Sequence, residues 1–221
     1  MLDTVKLYCE VMVPAPSEQH GDVRRLVLDA AIAIIELEGA ESLSMREVAR
    51  RAGVSHQAPY HYFSDRSGIF AAISEEGFAG LAQAFRDVHE TEMPAAKAGF
   101  IAYLNFARSH VGHFRVMFRQ DICGVTDNEG TATAAESAFN ELLQMVARTI
   151  GSSVDPKAAH TFAFTMWSQA HGLATLVIDG PLPQKLPPGV SLEDQIDEVI
   201  NLCSHMVALE AAEMGLVPSH S

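Results

Sequence analysis

The side chains best placed to do chemistry in this chain crowd into one short stretch. His56, Gln57, Tyr60 and His61 bring imidazole, amide and phenol groups to one short segment, and Ser44, Arg46, Ser55 and Arg66 flank them. Glutamine can make a bidentate contact to adenine, and imidazoles donate to or accept from base edges, so His56, Gln57 and His61 suit the reading of a nucleic-acid groove. Hydroxyl and guanidinium groups near helix starts suit phosphate oxygens, which position a protein on a duplex without reading its sequence. The plainer alternatives are helix capping for the two serines and a solvated surface for the imidazoles and the amide.

Two other constellations stand further along. His110 and His113, three apart, could ligate a metal with Cys123 or His160. Metal sites need a tight third ligand that this spacing does not supply, so no metal and no cofactor are expected. A helical metal sensor or enzyme using this His/Cys set is the alternative reading of the chain. No nucleophile elbow, Walker loop, dinucleotide fingerprint or His-Glu-x-x-His pattern supports it, and no enzyme is expected. The second constellation is aromatic and methionine-rich, with a few polar groups: Tyr103, Phe106, His110, Phe114, Met117, Phe139, Trp167 and His171. Such a set fits a cavity for a small apolar effector, the alternative being ordinary core.

The elements that must hold these residues are helices. Asp22 to about Glu38 carries an apolar stripe ended by Gly39. Ser44 and Glu47 then form a capping box, Val48, Ala49 and Ala52 recur at helical spacing, Gly53 supplies a left-handed stop, and Ser55 can cap the next helix. Two short helices around a glycine turn make a helix-turn-helix, whose second helix can enter a major groove. Pro59 is tolerable there only in the first turn.

Ser64 or Asp65 caps a long helix reaching Phe85, weakened at Gly77 and Gly80. The following helical stripes run to Gly112, from Ala135 to Ile150, from Pro156 to about Ile178, and from Ser191 to about 213, with Asp121–Gly130 read as a loop. The segment 179–189, with four prolines, is read as a linker. No strand pattern competes.

Length and charge narrow the class. At 221 residues a small module plus a larger helical body is expected. Residues 1–20 are read as a mobile arm, 21–70 as the helix-turn-helix head and 71–221 as the body. The net charge of −13 argues against a protein that coats nucleic acid. Residues 44–68 nevertheless hold Arg46, Arg50, Arg51 and Arg66 against Glu47 and Asp65, so a mildly basic head sits on an acidic body. Three widely spaced cysteines fit reduced thiols, and the sequence offers neither a membrane span nor a secretory signal, so a cytoplasmic protein with no membrane partner is expected.

A helix-turn-helix of this composition, followed by Ser-Asp-Arg and a long helix, resembles the TetR/AcrR family of transcriptional regulators over residues 22–73. His113–Phe118 together with Trp167 and His171-Gly172 is similar to the subgroup named for a Trp-His-Gly signature. The resemblance implies an all-α fold, a C-terminal body that binds a small effector and dimerises through its last two long helices, and double-stranded operator DNA as partner. It also implies DNA contact by Ser44, Arg46, Ser55, Tyr60 and Arg66. Family members often have Leu-Tyr-Arg-His-Phe where this chain has Pro59-Tyr60-His61-Tyr62-Phe63, so a permanent positive charge is missing from the reading helix.

Three mechanical expectations follow. The seam of Ala159, Ala163, Ala170 and Ala174 is read as the place where a second copy packs, the cavity is expected to narrow on enlarging Ala107, and the helix from Asp65 to Phe85 is the expected lever. The expected function is a ligand-responsive regulator, a repressor released from a palindromic operator by a small molecule.

Overall fold

The computed structural model describes residues 16–89, 91–123, 128–152 and 154–216, with side chains of 16–21 and Cys123 outside the described set. Its described residues form ten α-helices and no strand: α1 (Pro16–Glu38), α2 (Met45–Ala52), α3 (Ala58–Phe63), α4 (Arg66–Asp87), α5 (Ala95–Ser109), α6 (Val111–Met117), α7 (Gln120–Cys123), α8 (Glu129–Ile150), α9 (Pro156–Ile178) and α10 (Leu192–Glu213). The expected all-α fold is what the chain adopts. Of the arm expected at 1–20, residues 1–15 lie outside the described residues, and Pro16–His20 already belong to α1.

Local chemistry explains most boundaries. Ser44 caps α2 by accepting a hydrogen bond from the Glu47 amide at 3.3 Å, and Gly53 closes it at φ 66° and ψ 27°. The reciprocal half of the capping box does not form, because Arg50 and Arg51 take the Glu47 carboxylate and hold it down at about 2, Arg50 contributing most. Asp65, Asn128, Asp155 and Ser191 cap α4, α8, α9 and α10 through the third residue's amide. Ser55 does not cap α3. The helix starts later, from Gln57, with no side-chain cap and with Pro59 in its first turn. Helix α5 stops at Ser109 and Gly112 sits inside α6, while the expected 121–130 loop yields its first three residues to α7 and its last two to α8.

The α3–α4 joint is unusually tight. Ser64 has φ 60° and ψ −55°, and the Asp65 amide donates to the Phe63 carbonyl at 2.6 Å, which is a γ-turn with a left-handed central residue. A Cβ on Gly68 would drive into that same carbonyl oxygen, so the turn requires glycine at this position. Gly68→Ala is expected to destabilise the protein by about 1–3 kcal/mol, an overpacking cost with backbone on one side of the clash, measured as a lowered thermal midpoint. An unchanged midpoint would show that the joint relaxes freely.

Helices α1, α2 and α3 pack on one another, and α4 runs from them to lie against α5, α6 and α8. Helix α4 is continuous through Gly77 and Gly80, which serve close approach: an added Cβ would meet Met117 Sδ at 3.1 Å and Phe106 at 3.0 Å respectively. Helix α5 lies against α9 and α10, and the alanine seam faces this interior. Ala163, Ala170 and Ala174 are buried within the single chain and only Ala159 is half-buried, so the chain's own helices cover the seam and leave no room there for a second copy.

Three contacts tie α1 to the helices beyond the first three. Arg25 donates to Glu76 of α4 at 2.8 Å, an added Cβ on Gly112 of α6 would meet the Ile32 carbonyl at 2.8 Å, and Arg115 of α6 donates to the Glu36 carbonyl at 2.6 Å. Arg115 also forks onto Asp179, the C-cap of α9, at 2.5 and 3.1 Å. Among the described residues no helix is long and apolar enough to cross a membrane.

Candidate functional site

Two sites emerge, one on the surface of α2–α3 and one inside the helices behind it. On the surface, Ser44, Arg46, Ser55, His56, Gln57, Tyr60 and His61 are all exposed, while Val48 and Phe63 are buried beneath them. Arg24 of α1 stacks over the Phe63 ring at 5.1 Å and fixes the short α3 from behind. His56 and Tyr60 stand with ring centroids 5.8 Å apart, and the edge of His61 meets Tyr62 at 4.9 Å.

The four arginines of residues 44–68 are not equivalent. Arg50 and Arg51 bond Glu47, and Arg51 also bonds Glu38. Arg66 is half-buried, donates to the Ala40 carbonyl at 2.7 Å and lies over the Phe70 ring at 5.0 Å. Arg46 alone of the four has no ion-pair partner among the described residues, which leaves its full charge available to a phosphate. Sequence counting cannot make this distinction, because it depends on which carboxylates the fold brings near.

The internal site is a cavity of about 620 Å³ between α4, α5, α6, α8 and α9. Tyr103, Met117, Phe139, Trp167 and His171 line it as expected. Phe106, His110 and Phe114 do not. Phe106 packs on Gly80 of α4, His110 is exposed and stacked on Phe106 at 4.8 Å, and Phe114 is buried behind the wall against Tyr103 and His171. Ala107 is fully buried away from the cavity, so enlarging it would overpack the core and leave the hole as it is. The sequence reading missed Phe78, Leu81 and Phe85, because α4 looked like a connector, and it missed Leu142 among the many apolar positions of its helix.

Tyr103 and His171 form a hydrogen-bonded pair in this wall, which also holds Gln120, Glu136 and Ser168. The Tyr103 hydroxyl lies 2.8 Å from His171 Nδ1. Burial pushes the Tyr103 hydroxyl well above its ordinary pKa, an effect neighbouring Trp167 partly opposes. Burial lowers the His171 pKa, which keeps that imidazole neutral near pH 7. Glu136 of α8 is the one ionised side chain of the lining.

The His/Cys set does not converge. His110 stacks on Phe106 and meets His113 at 5.7 Å, whereas His160 packs on Phe139 and Phe164, and the Cys123 side chain lies outside the described residues. Among the described residues no group of three His, Cys, Asp or Glu could hold a metal ion. His113 is buried, and that burial lowers its pKa against the raising effect of nearby Glu76.

Comparison with known proteins places both sites in one frame. Residues 27–73 match the family of bacterial regulatory proteins, tetR family, and residues 96–199 match the tetracyclin repressor-like C-terminal domain. Among solved structures, a protein of unknown function from Rhodococcus sp. RHA1 is 29% identical, with a TM-score of 0.67 over 89% of this chain and 98% of that one. The TetR family transcriptional regulator PfmR from Thermus thermophilus shares 17% identity and a TM-score of 0.60, covering 83% of this chain and 97% of its own. The fatty acid degradation regulator FadR from Bacillus halodurans shares the fold at 11% identity and a TM-score of 0.63, covering 89% and 96%. With one match over the helix-turn-helix and the other over α5 to α9, the chain belongs to the tetR family of bacterial regulatory proteins, DNA-binding regulators of transcription rather than enzymes.

Proposed function

We propose that this chain is a repressor that occupies a palindromic operator as a homodimer and is released by a small molecule in the α4–α9 cavity. The observation that carries this reading is α6. It walls the cavity with Met117 and touches α1 through Gly112 and Arg115, so occupancy of the cavity has a direct route to the DNA-facing helices. Residues 21–70 act as the head and 71–221 as the body. The lever is α6 together with α4, which supplies Phe78, Leu81 and Phe85 to the same wall. Trp167 and His171-Gly172 fall together on α9 beside the cavity, which supports the Trp-His-Gly subgroup assignment.

On the head, Ser44, Arg46, Ser55, Tyr60 and Arg66 position the duplex, and His56, Gln57 and His61 read base edges. The dimer forms through the outer faces of α9 and α10. Leu176 on α9 and Leu202, Met206 and Leu209 on α10 are large apolar side chains left about half exposed in the single chain. Gly172 lies on the same outer face of α9, where an added Cβ would meet nothing within 4 Å, leaving room for a second backbone to approach.

The test is binding of the purified chain to the DNA upstream of its own coding region. Wild type should protect a symmetric site, Arg46→Ala should weaken binding to all sequences and make the salt dependence shallower by about one phosphate contact, and Gln57→Ala should relax preference at one base pair by roughly 1–3 kcal/mol. Equal losses on specific and random DNA for Gln57→Ala would remove it from base reading.

A further inference from the structure

We propose that the effector is an uncharged, largely hydrophobic molecule bearing one hydrogen-bond acceptor, such as a carbonyl oxygen, and that the Nε2–H of His171 is the donor that reads it. This rests on the effector-cavity reading above and specifies its chemistry.

The direction of the hydrogen bonds in the wall leads there. Tyr103 has one hydroxyl proton and is almost fully buried, and its hydrogen-bond partner among the described residues is His171 Nδ1 at 2.8 Å. Tyr103 must therefore donate to Nδ1, since the opposite tautomer would leave a buried hydroxyl proton without an acceptor. With Nδ1 accepting, the neutral imidazole carries its proton on Nε2, which has no partner among the described residues. The wall of the cavity thus carries a donor whose tautomer is set by the Tyr103 hydroxyl.

Charge excludes the acidic alternative. The lining contains no lysine or arginine, and Glu136 is its one ionised group. A carboxylate or phosphate would be desolvated without a counter-charge and repelled by Glu136. Apart from Gln120 and Ser168 the rest of the lining is apolar, led by phenylalanines, leucines, Met117 and Met166, and about 620 Å³ suits a molecule of drug-like size.

Trp167 is the chain's single tryptophan and lines the cavity, so its fluorescence reports occupancy directly. Four nine-carbon probes, nonane, methyl heptyl ketone, nonanoate and nonylammonium, are titrated into the full chain and into His171→Phe, with His171→Gln as a second variant that restores an N–H donor. The ketone should bind roughly tenfold more tightly than nonane to wild type, the order expected of one hydrogen bond. That preference should vanish in His171→Phe with nonane affinity kept, and return in part in His171→Gln. Tightest binding of nonanoate or nonylammonium would overturn the proposal by showing that the site selects a charge, and equal binding of ketone and nonane would remove His171 as the reader. A Trp167 signal unmoved by all four would reject the effector cavity itself, taking this proposal with it.

Discussion

A Leu202→Glu, Leu209→Glu double variant is expected to sediment as a monomer and to bind its operator about 10²- to 10⁴-fold more weakly than wild type, the loss that follows when two linked binding events become separate. Both side chains stand on the outer face of α10, Leu202 at 60% exposure and Leu209 at 51%, so the charges add no burden to the folded single chain. In a two-fold interface each substitution appears twice and faces its own copy, where carboxylates would be desolvated and repel one another. Ala170→Arg, the variant suggested by the alanine seam, tests something else. Ala170 is buried against the chain's own core and lines the cavity, so an arginine there would damage folding before it touched assembly. A dimeric double variant with wild-type unfolding would move the interface elsewhere.

The second large effect is expected from Arg115→Met. This guanidinium bonds the carbonyls of Ile35 and Glu36 in the last turn of α1, and it forks onto Asp179 where α9 ends. Methionine keeps much of the apolar stem and removes every one of those bonds. The variant is expected to bind operator and effector separately with near-normal affinity, while the factor by which effector weakens operator binding falls from the 5–150-fold common in coupled sites towards one. Linkage supplies an internal check, because operator DNA should then also cease to weaken effector binding by the same factor. An unchanged coupling factor would place the whole route in α4, whose Phe78, Leu81 and Phe85 also face the cavity.

Much of the frame of these predictions was legible in the chain. Asp155-Pro156 and Ser191 mark the starts of α9 and α10, and the apolar periods carry both to within a residue of their observed ends. Ser44 and Gly53 bound α2 because a cap and a left-handed glycine act over a few neighbouring residues, with no help from the rest of the fold. Ser55 misled because a hydroxyl before a helix is permission to cap and not an obligation. Here the turn takes one more step and α3 starts from Gln57.

The cavity shows where local reading ends. Tyr103, Met117, Phe139, Trp167 and His171 were identified by type, yet Phe106 and Phe114, of the same type, turn into solid core, and Phe78 and Phe85 turn into the hole. Periodicity states that a helical face is buried and is silent about what buries it. By itself, then, the sequence determined the helices, their caps and the helix-turn-helix, since these depend on interactions within a turn or two of chain. The tertiary structure alone decided that the alanine seam is buried within the single chain, that Arg46 has no ion-pair partner among the described residues, that Arg115 joins α1 to α6 and α9, and that five helices leave a space between them. Each of those depends on residues tens of positions apart meeting in three dimensions, a matter of packing among whole helices that no local pattern encodes.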